Sequence, residues 1–201
     1  MALEAVRFVL CIGLPYASLR AGAFAPRDVG LQGSPSPAWI LGWTPDQWTW
    51  AIGQASLVAA LTLEALPLLI WQIRRAGGHA PSALDLDAAS VARSIRDGVY
   101  AEMHWSFYRA LPMLALASTR WAALAGLGLT AGEALLAGWL AAGAVRSRLF
   151  ESLLAAASAA YFALSGGNVW VAIVLQVAVR IAATKLAYAG HDTDSNPELI
   201  A

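Results

Sequence analysis

The sequence predicts an all-α fold: a polytopic membrane bundle of about six transmembrane helices plus one interfacial amphipathic helix. Three observations carry this. The 201 residues are 59% hydrophobic and only 13% charged, with a mean hydropathy of +0.58, whereas a soluble domain has about 25% charged residues. The apolar residues fall into six stretches close to the roughly 20 residues a span requires. None of the six alternates polar with apolar residues as a barrel strand does, so the spans are helical.

The first span covers residues 5–19, short and broken by Pro15. Arg7, the apolar run and Ala23-Phe24-Ala25 imitate a cleaved signal peptide. Pro26 directly after the cut and Glu4 in the basic region argue instead for a retained helix. The second span, 50–73, is ended by Arg74-Arg75, and the third covers 99–118. The fourth, fifth and sixth cover 121–145, 149–164 and 169–187. Between the second and third, residues 76–83 form a Gly/Pro-containing loop. Residues 85–97 then read as an amphipathic segment on the membrane surface, with Leu84, Ala88, Val91, Ala92 and Ile95 to one side and Arg93, Arg96 and Asp97 mostly to the other. It turns into the third span at Gly98. Residues 1–190 thus make one transmembrane domain and 191–201 a polar tail, in which His191, Asp192 and Asp194 are solvated.

Orientation follows from the Lys/Arg bias. Arg74, Arg75, Arg93, Arg96, Arg146 and Arg148 fall on one side with Arg7 and Lys185 nearby, against Arg20, Arg27 and Arg120 on the other. This predicts a multi-pass protein of the cell (plasma) membrane with both termini cytoplasmic. Trp39, Trp43, Trp48 and Trp50 crowd one stretch, and Trp71, Trp121 and Trp170 sit near segment ends, as in an aromatic belt. The formal net charge is zero and no basic patch stands out, which argues against a nucleic-acid partner. Cys11, the single cysteine, excludes an internal disulfide and a thiolate cluster and is assigned to packing. No repeat of 20–50 residues is present.

Ionisable groups inside a bilayer are expensive and are retained to pair, gate, bind or catalyse. The polar groups here are Glu64 in the second span, Glu102, His104 and Arg109 in the third, Glu133 in the fourth, and Gln176 with Arg180 in the sixth, with Glu151 opening the fifth. Glu102 and Arg109, seven apart, share a helix face, and His104 and Tyr108 share another. Glu64, Glu102 and Glu133 stand against Arg109 and Arg180, so one carboxylate is left over, and Arg109 has Glu102 or Glu133 first in line as acceptor. A Glu with a His can activate water. Because His104 is the only intramembrane histidine, a zinc site of two or three imidazoles cannot form, and no metal or cofactor ligand set is assigned.

Three stretches resemble the CPBP (CAAX-protease and bacteriocin-processing, or Abi) family of intramembrane endopeptidases. They are IGLPYASLRAGAFAPRDVGL (12–31), YAEMHWSFYRA (100–110) and SGGNVWVAIVLQVAVRIA (165–182). The resemblance implies that Glu and His residues activate water for attack on a peptide carbonyl, with polar donors stabilising the oxyanion. The chain departs from the family's motifs. Ala101 stands for the first of two glutamates, and Arg109 follows Glu102 by seven residues where the motif has four. No histidine between 105 and 190 supplies Phe-x-x-x-His, and Gln176-x-x-x-Arg180 replaces His-x-x-x-Asn/Asp. The candidate catalytic residues are therefore Glu102 as base, His104 as its partner, and Arg109 or Gln176 toward the oxyanion.

Three functions compete. The favoured expectation is a non-catalytic accessory or assembly subunit of a membrane complex, packing through its Trp-rich loop and small-residue helix faces such as Gly126, Gly128, Gly132, Gly138 and Gly143. The alternative is a glutamate-dependent endopeptidase acting on membrane-embedded or prenylated peptides. A solute or proton pathway along Glu64, Glu102 and Glu133 lacks the repeat symmetry such pathways use. The expected partners are the lipid bilayer and other membrane subunits or a membrane-embedded peptide.

Overall fold

The computed structural model describes residues 2–31, 41–75, 88–116, 118–140 and 145–192, and these are all-helical, without a strand. Among the described residues there are seven α-helices: α1 (Ala2–Phe8), α2 (Leu14–Arg20), α3 (Pro45–Arg75), α4 (Ala88–Met113), α5 (Thr119–Leu140), α6 (Val145–Ser165) and α7 (Val169–Asp192). Two of them, α3 and α7, are long and apolar enough to cross a membrane.

Pro15 does not break the first helix. α1 and α2 are joined by a π-helical turn, Val9–Gly13, with Phe8, Gly13 and Leu14 all right-handed helical. A proline lacks the N–H for the carbonyl four residues back and its ring crowds that carbonyl, here Cys11. A wider turn of five residues relieves both problems without ending the helix.

Gly98 is not a corner either: α4 runs through it from the amphipathic segment into the predicted span. Gly98 is buried against α7, where an added Cβ would lie 2.9 Å from Val177 Cγ2. It is a point of close helix approach. Of the amphipathic segment, residues 85–87 lie outside the described residues, as does the 76–83 loop. α4 stops at Met113, earlier than the predicted 118, in a turn held by Leu116 N–H on Pro112 O at 2.7 Å. α7 extends into the predicted tail as far as Asp192; residues 193–201 lie outside the described residues.

Five helices form a ring in the order α4, α5, α6, α3, α7, and α7 closes back on α4. The π turn beside α1 packs on α4 from outside. Leu66, Leu154, Tyr161, Ala172, Leu175 and Val179 fill the ring. α6 contributes Ala155, Ala157, Ser158 and Ala159, all buried, and such small residues let neighbouring backbones approach. The outward surface is apolar: Leu61, Leu68, Leu114, Trp121 and Val174 are each more than 60% exposed. A chain whose large side chains point outward on every helix suits an apolar surrounding better than water. The tryptophans divide. Trp50, Trp71, Trp121 and Trp170 are exposed near helix ends, but Trp43 is buried and so is no part of a belt, and Trp39 lies outside the described residues.

The segment after α2 plugs one end of the ring. Asp28 accepts from the N–H of Ala25 at 2.8 Å and shapes a short 3-10 turn, Pro26–Val29. Gly30 follows at φ +79°, and its carbonyl accepts from Val169 N–H at 3.2 Å. A Cβ at Gly30 would stand 3.0 Å from both Val169 N and Phe162 Cε1, so only glycine lets this segment reach the head of α7.

Candidate functional site

Polar side chains meet inside the ring at Glu102 and Arg109 of α4 and Ser158 of α6. Seven residues on one helix are two turns, so Arg109 reaches back along its own helix to Glu102. One Glu102 oxygen accepts from Arg109 Nη2, and the other accepts from the Ser158 hydroxyl at 2.8 Å. Ser158 Oγ in turn accepts from Arg109 Nη1 at 2.9 Å, which closes a three-membered cycle. Glu102 and Ser158 are fully buried and Arg109 is 4% exposed. The guanidinium lies over the Phe162 ring, 3.6 Å from ring centre to Cζ, so a π face covers the cation where no acceptor does.

Two glycines make this arrangement possible. A Cβ on Gly126 of α5 would stand 2.8 Å from Arg109 Cγ and 3.1 Å from the Arg109 backbone. Gly167, at φ +87°, sits where a Cβ would overlap the Phe162 ring. Behind Phe162, the turn into α7 is fixed by Tyr161, whose hydroxyl donates to Asn168 O and accepts from Asn168 N–H, both at 3.3 Å. Asn168 Oδ1 caps α7 by accepting from Trp170 N–H at 3.0 Å and Val171 N–H at 3.3 Å.

Gln176 of α7 joins the same core. It is fully buried, its Nε2 donates to Leu154 O at 2.9 Å, and its Oε1 has no partner. Leu154 is one α6 turn from Ser158, so Gln176 lies a turn away from the Glu102 pair. His104 does not converge with these residues. Two positions beyond Glu102 turn a side chain by about 200°, and His104 meets Glu133 of α5 at 3.1 Å and lies against Tyr108, the rings tilted by 53° with centres 4.4 Å apart. Arg180 pairs with Glu151 through two contacts of 2.8 and 2.7 Å. The carboxylate left over is therefore Glu64, exposed on α3.

Outside the ring, Asp97 bridges α1 and α4, accepting from Arg7 at 3.0 Å and from Arg96 at 3.1 Å. The adjacent Asp97 carboxylate, first by hydrogen bond and then by charge, holds Arg96 above its ordinary pKa. Two cavities, of about 320 and 500 Å³, open beside the α6–α7 turn. Trp43, Asp46, Gln47 and Trp50 line the smaller, Ser118 and Arg120 the larger, and Ser165 and Gly166 both. Neither is lined by Glu102, His104 or Gln176. Among the described residues no group of three or more His, Cys, Asp or Glu side chains is placed to hold a metal ion.

The residues that sequence reading passed over are Ser158, Phe162, Tyr161 and Asn168. Ser158 had a signal: a lone hydroxyl in an alanine run, four residues from Leu154 and from Phe162, on the face that a helix turns inward. The chain matches no protein-family model, no curated protein and no solved structure.

Proposed function

We propose that this chain is a six-span membrane protein with a CPBP-like bundle whose catalytic position is filled by a structural ion pair, and that it serves as an accessory or assembly subunit of a membrane complex. One observation carries the reading: both oxygens of the fully buried Glu102 are taken, by Arg109 and by Ser158. A general base must reach the water whose proton it abstracts. Each Glu102 oxygen is engaged, and neither cavity is lined by Glu102, the larger stopping at Phe162, whose ring covers Arg109. His104, the one histidine near enough in sequence to assist it, is committed to Glu133.

On this reading Ser158, bonded to Glu102, and Gln176, bonded to the Leu154 carbonyl, stand where the family has its two histidines, and Arg180 is tied to Glu151. Serine and glutamine can support a carboxylate or a carbonyl by hydrogen bonds, but neither takes a proton from water at neutral pH. What remains of such a site is a polar clamp joining α4, α6 and α7.

For topology, α1 to α2 and each of α3 to α7 cross once, with both termini on the cytoplasmic side of the plasma membrane. The supporting features are the Arg7–Asp97–Arg96 knot, which ties α1 to the first half of α4, and the Arg180–Glu151 pair, which ties the middle of α7 to the first half of α6. The test is carbodiimide labelling of intact proteoliposomes, read by mass spectrometry. A water-soluble carbodiimide should leave Glu102 unmodified; modification there would mean that water reaches the carboxylate, and the non-catalytic reading would fall.

A further inference from the structure

α3 uses one side only. Ala51, Ala55, Val58, Thr62 and Leu66, at three- and four-residue steps, are buried against α6 and α7. A second series with the same kind of step, Trp50, Gly53, Leu57, Ala60, Glu64 and Pro67, is exposed throughout. This is the 3.5-residue period of a seam that takes another helix. A purely apolar seam would be satisfied by lipid. Glu64 changes that.

With α3 spanning the membrane, Glu64 lies seven residues from Trp71, about 10 Å into the hydrocarbon layer from that interface. A glutamate side chain is too short to carry its carboxyl that distance to water. Among the described residues Glu64 has no hydrogen-bonding or charged partner. A second acceptor lies beside it. Pro67 has no N–H, so the Leu63 carbonyl, four residues back, loses its helical donor. A carboxylate and a backbone carbonyl, both short of donors, thus adjoin on one face at a depth where unsatisfied polar groups cost several kcal/mol.

The complement of two acceptors and one negative charge is a cationic donor. A lipid headgroup amine stays at the interface. A second copy of this chain, packed through the same seam, would bring a second carboxyl and a second orphaned carbonyl to the same depth, adding acceptors without a matching set of donors. A Lys or Arg on a foreign span carries enough donors for both acceptors. We propose that this face of α3 docks a transmembrane helix of another subunit carrying a basic side chain at the depth of Glu64. The proposal rests on the accessory-subunit reading and names the chemistry of the partner. At the contact, Gly53 has open space over its Cα and lets a neighbouring backbone come close.

The test uses the full-length protein, labelled at its N-terminus, in phosphatidylcholine vesicles, with a synthetic single-span polyleucine peptide carrying one lysine at the matching depth. Energy transfer should report association of this peptide. Glu64→Leu should weaken it by about tenfold or more, the scale of an interhelical polar contact, and Glu64→Gln should weaken it by less. Peptides with leucine or glutamate in place of the lysine should associate no better than with the Glu64→Leu variant. Because Glu64 is exposed and has no polar partner among the described residues, neither substitution should alter the unfolding midpoint. Equal association of all peptides, or of wild type and Glu64→Leu, would overturn the proposal. So would self-association of the protein that excludes the lysine peptide, which would make a second copy the occupant. None of these failures would free Glu102, so the non-catalytic reading is tested separately.

Discussion

Removing either member of the Glu102–Arg109 pair should destabilise the protein, but not equally. Glu102→Leu leaves a guanidinium that cannot shed its proton, buried with only the Ser158 hydroxyl and the Phe162 ring. Breaking a buried pair in this way costs about 3–5 kcal/mol. Arg109→Met leaves a carboxyl that can take up a proton and keep its bond to Ser158, and the loss should be closer to 1–3 kcal/mol, the cost of an unmet buried polar group. Methionine also fills the channel between Gly126 and Phe162 that the arginine stem occupied. The double variant Glu102→Leu/Arg109→Met should be more stable than Glu102→Leu alone, because a buried ion pair replaced by apolar side chains is often neutral or better. Reversible unfolding in bicelles, titrated with SDS, gives the four free energies of this cycle. Equal losses for the two single variants, or a double variant no better than Glu102→Leu, would refute the reasoning that the cation is the trapped member.

Other outcomes follow from the same contacts. Gly126→Ala should lower thermal stability by about 1–3 kcal/mol, because the new methyl meets Arg109 backbone as well as side chain and α4 and α5 must part. Gly98→Ala should cost less, since its closest obstacle is the tip of Val177; the order of the two midpoints is the check. Tyr161→Phe should cost about 1 kcal/mol by releasing the Asn168 backbone, read as faster hydrogen exchange at the head of α7. Reporter tags at both ends should be inaccessible from outside intact cells, and an exposed C-terminal tag would overturn the proposed topology.

Much of the fold was legible because apolar composition and segment length speak directly about helices. Each predicted segment overlaps a helix or helix pair of the described residues, but only α3 and α7 are long and apolar enough to cross a membrane, and α4 begins eleven residues before the predicted third span. The errors came from reading local signals without their neighbours. Pro15 looked like a break, yet a π turn absorbs a proline where the chain has room to widen. Gly98 looked like a corner because glycine weakens an isolated helix, but tight packing on Val177 requires a residue without a side chain.

The site was half legible. Spacing placed Glu102 and Arg109 on one face, and charge demanded that they find partners. Ser158 carries no charge and stood unnoticed among alanines, although its hydroxyl completes the cycle. His104 was grouped with Glu102 by sequence proximity, whereas two residues of helix turn it to the opposite side. Arg180 was set against the intramembrane carboxylates, but its partner is Glu151 near the end of α6.

Hydrolysis is the most direct test of the central claim that Glu102 is a clamp and not a base. Purified protein in proteoliposomes, given a prenylated peptide and a single-span transmembrane peptide, should release cleavage products no faster than empty vesicles. Glu102→Gln should leave that rate unchanged. Cleavage above background that Glu102→Gln abolishes would contradict the account.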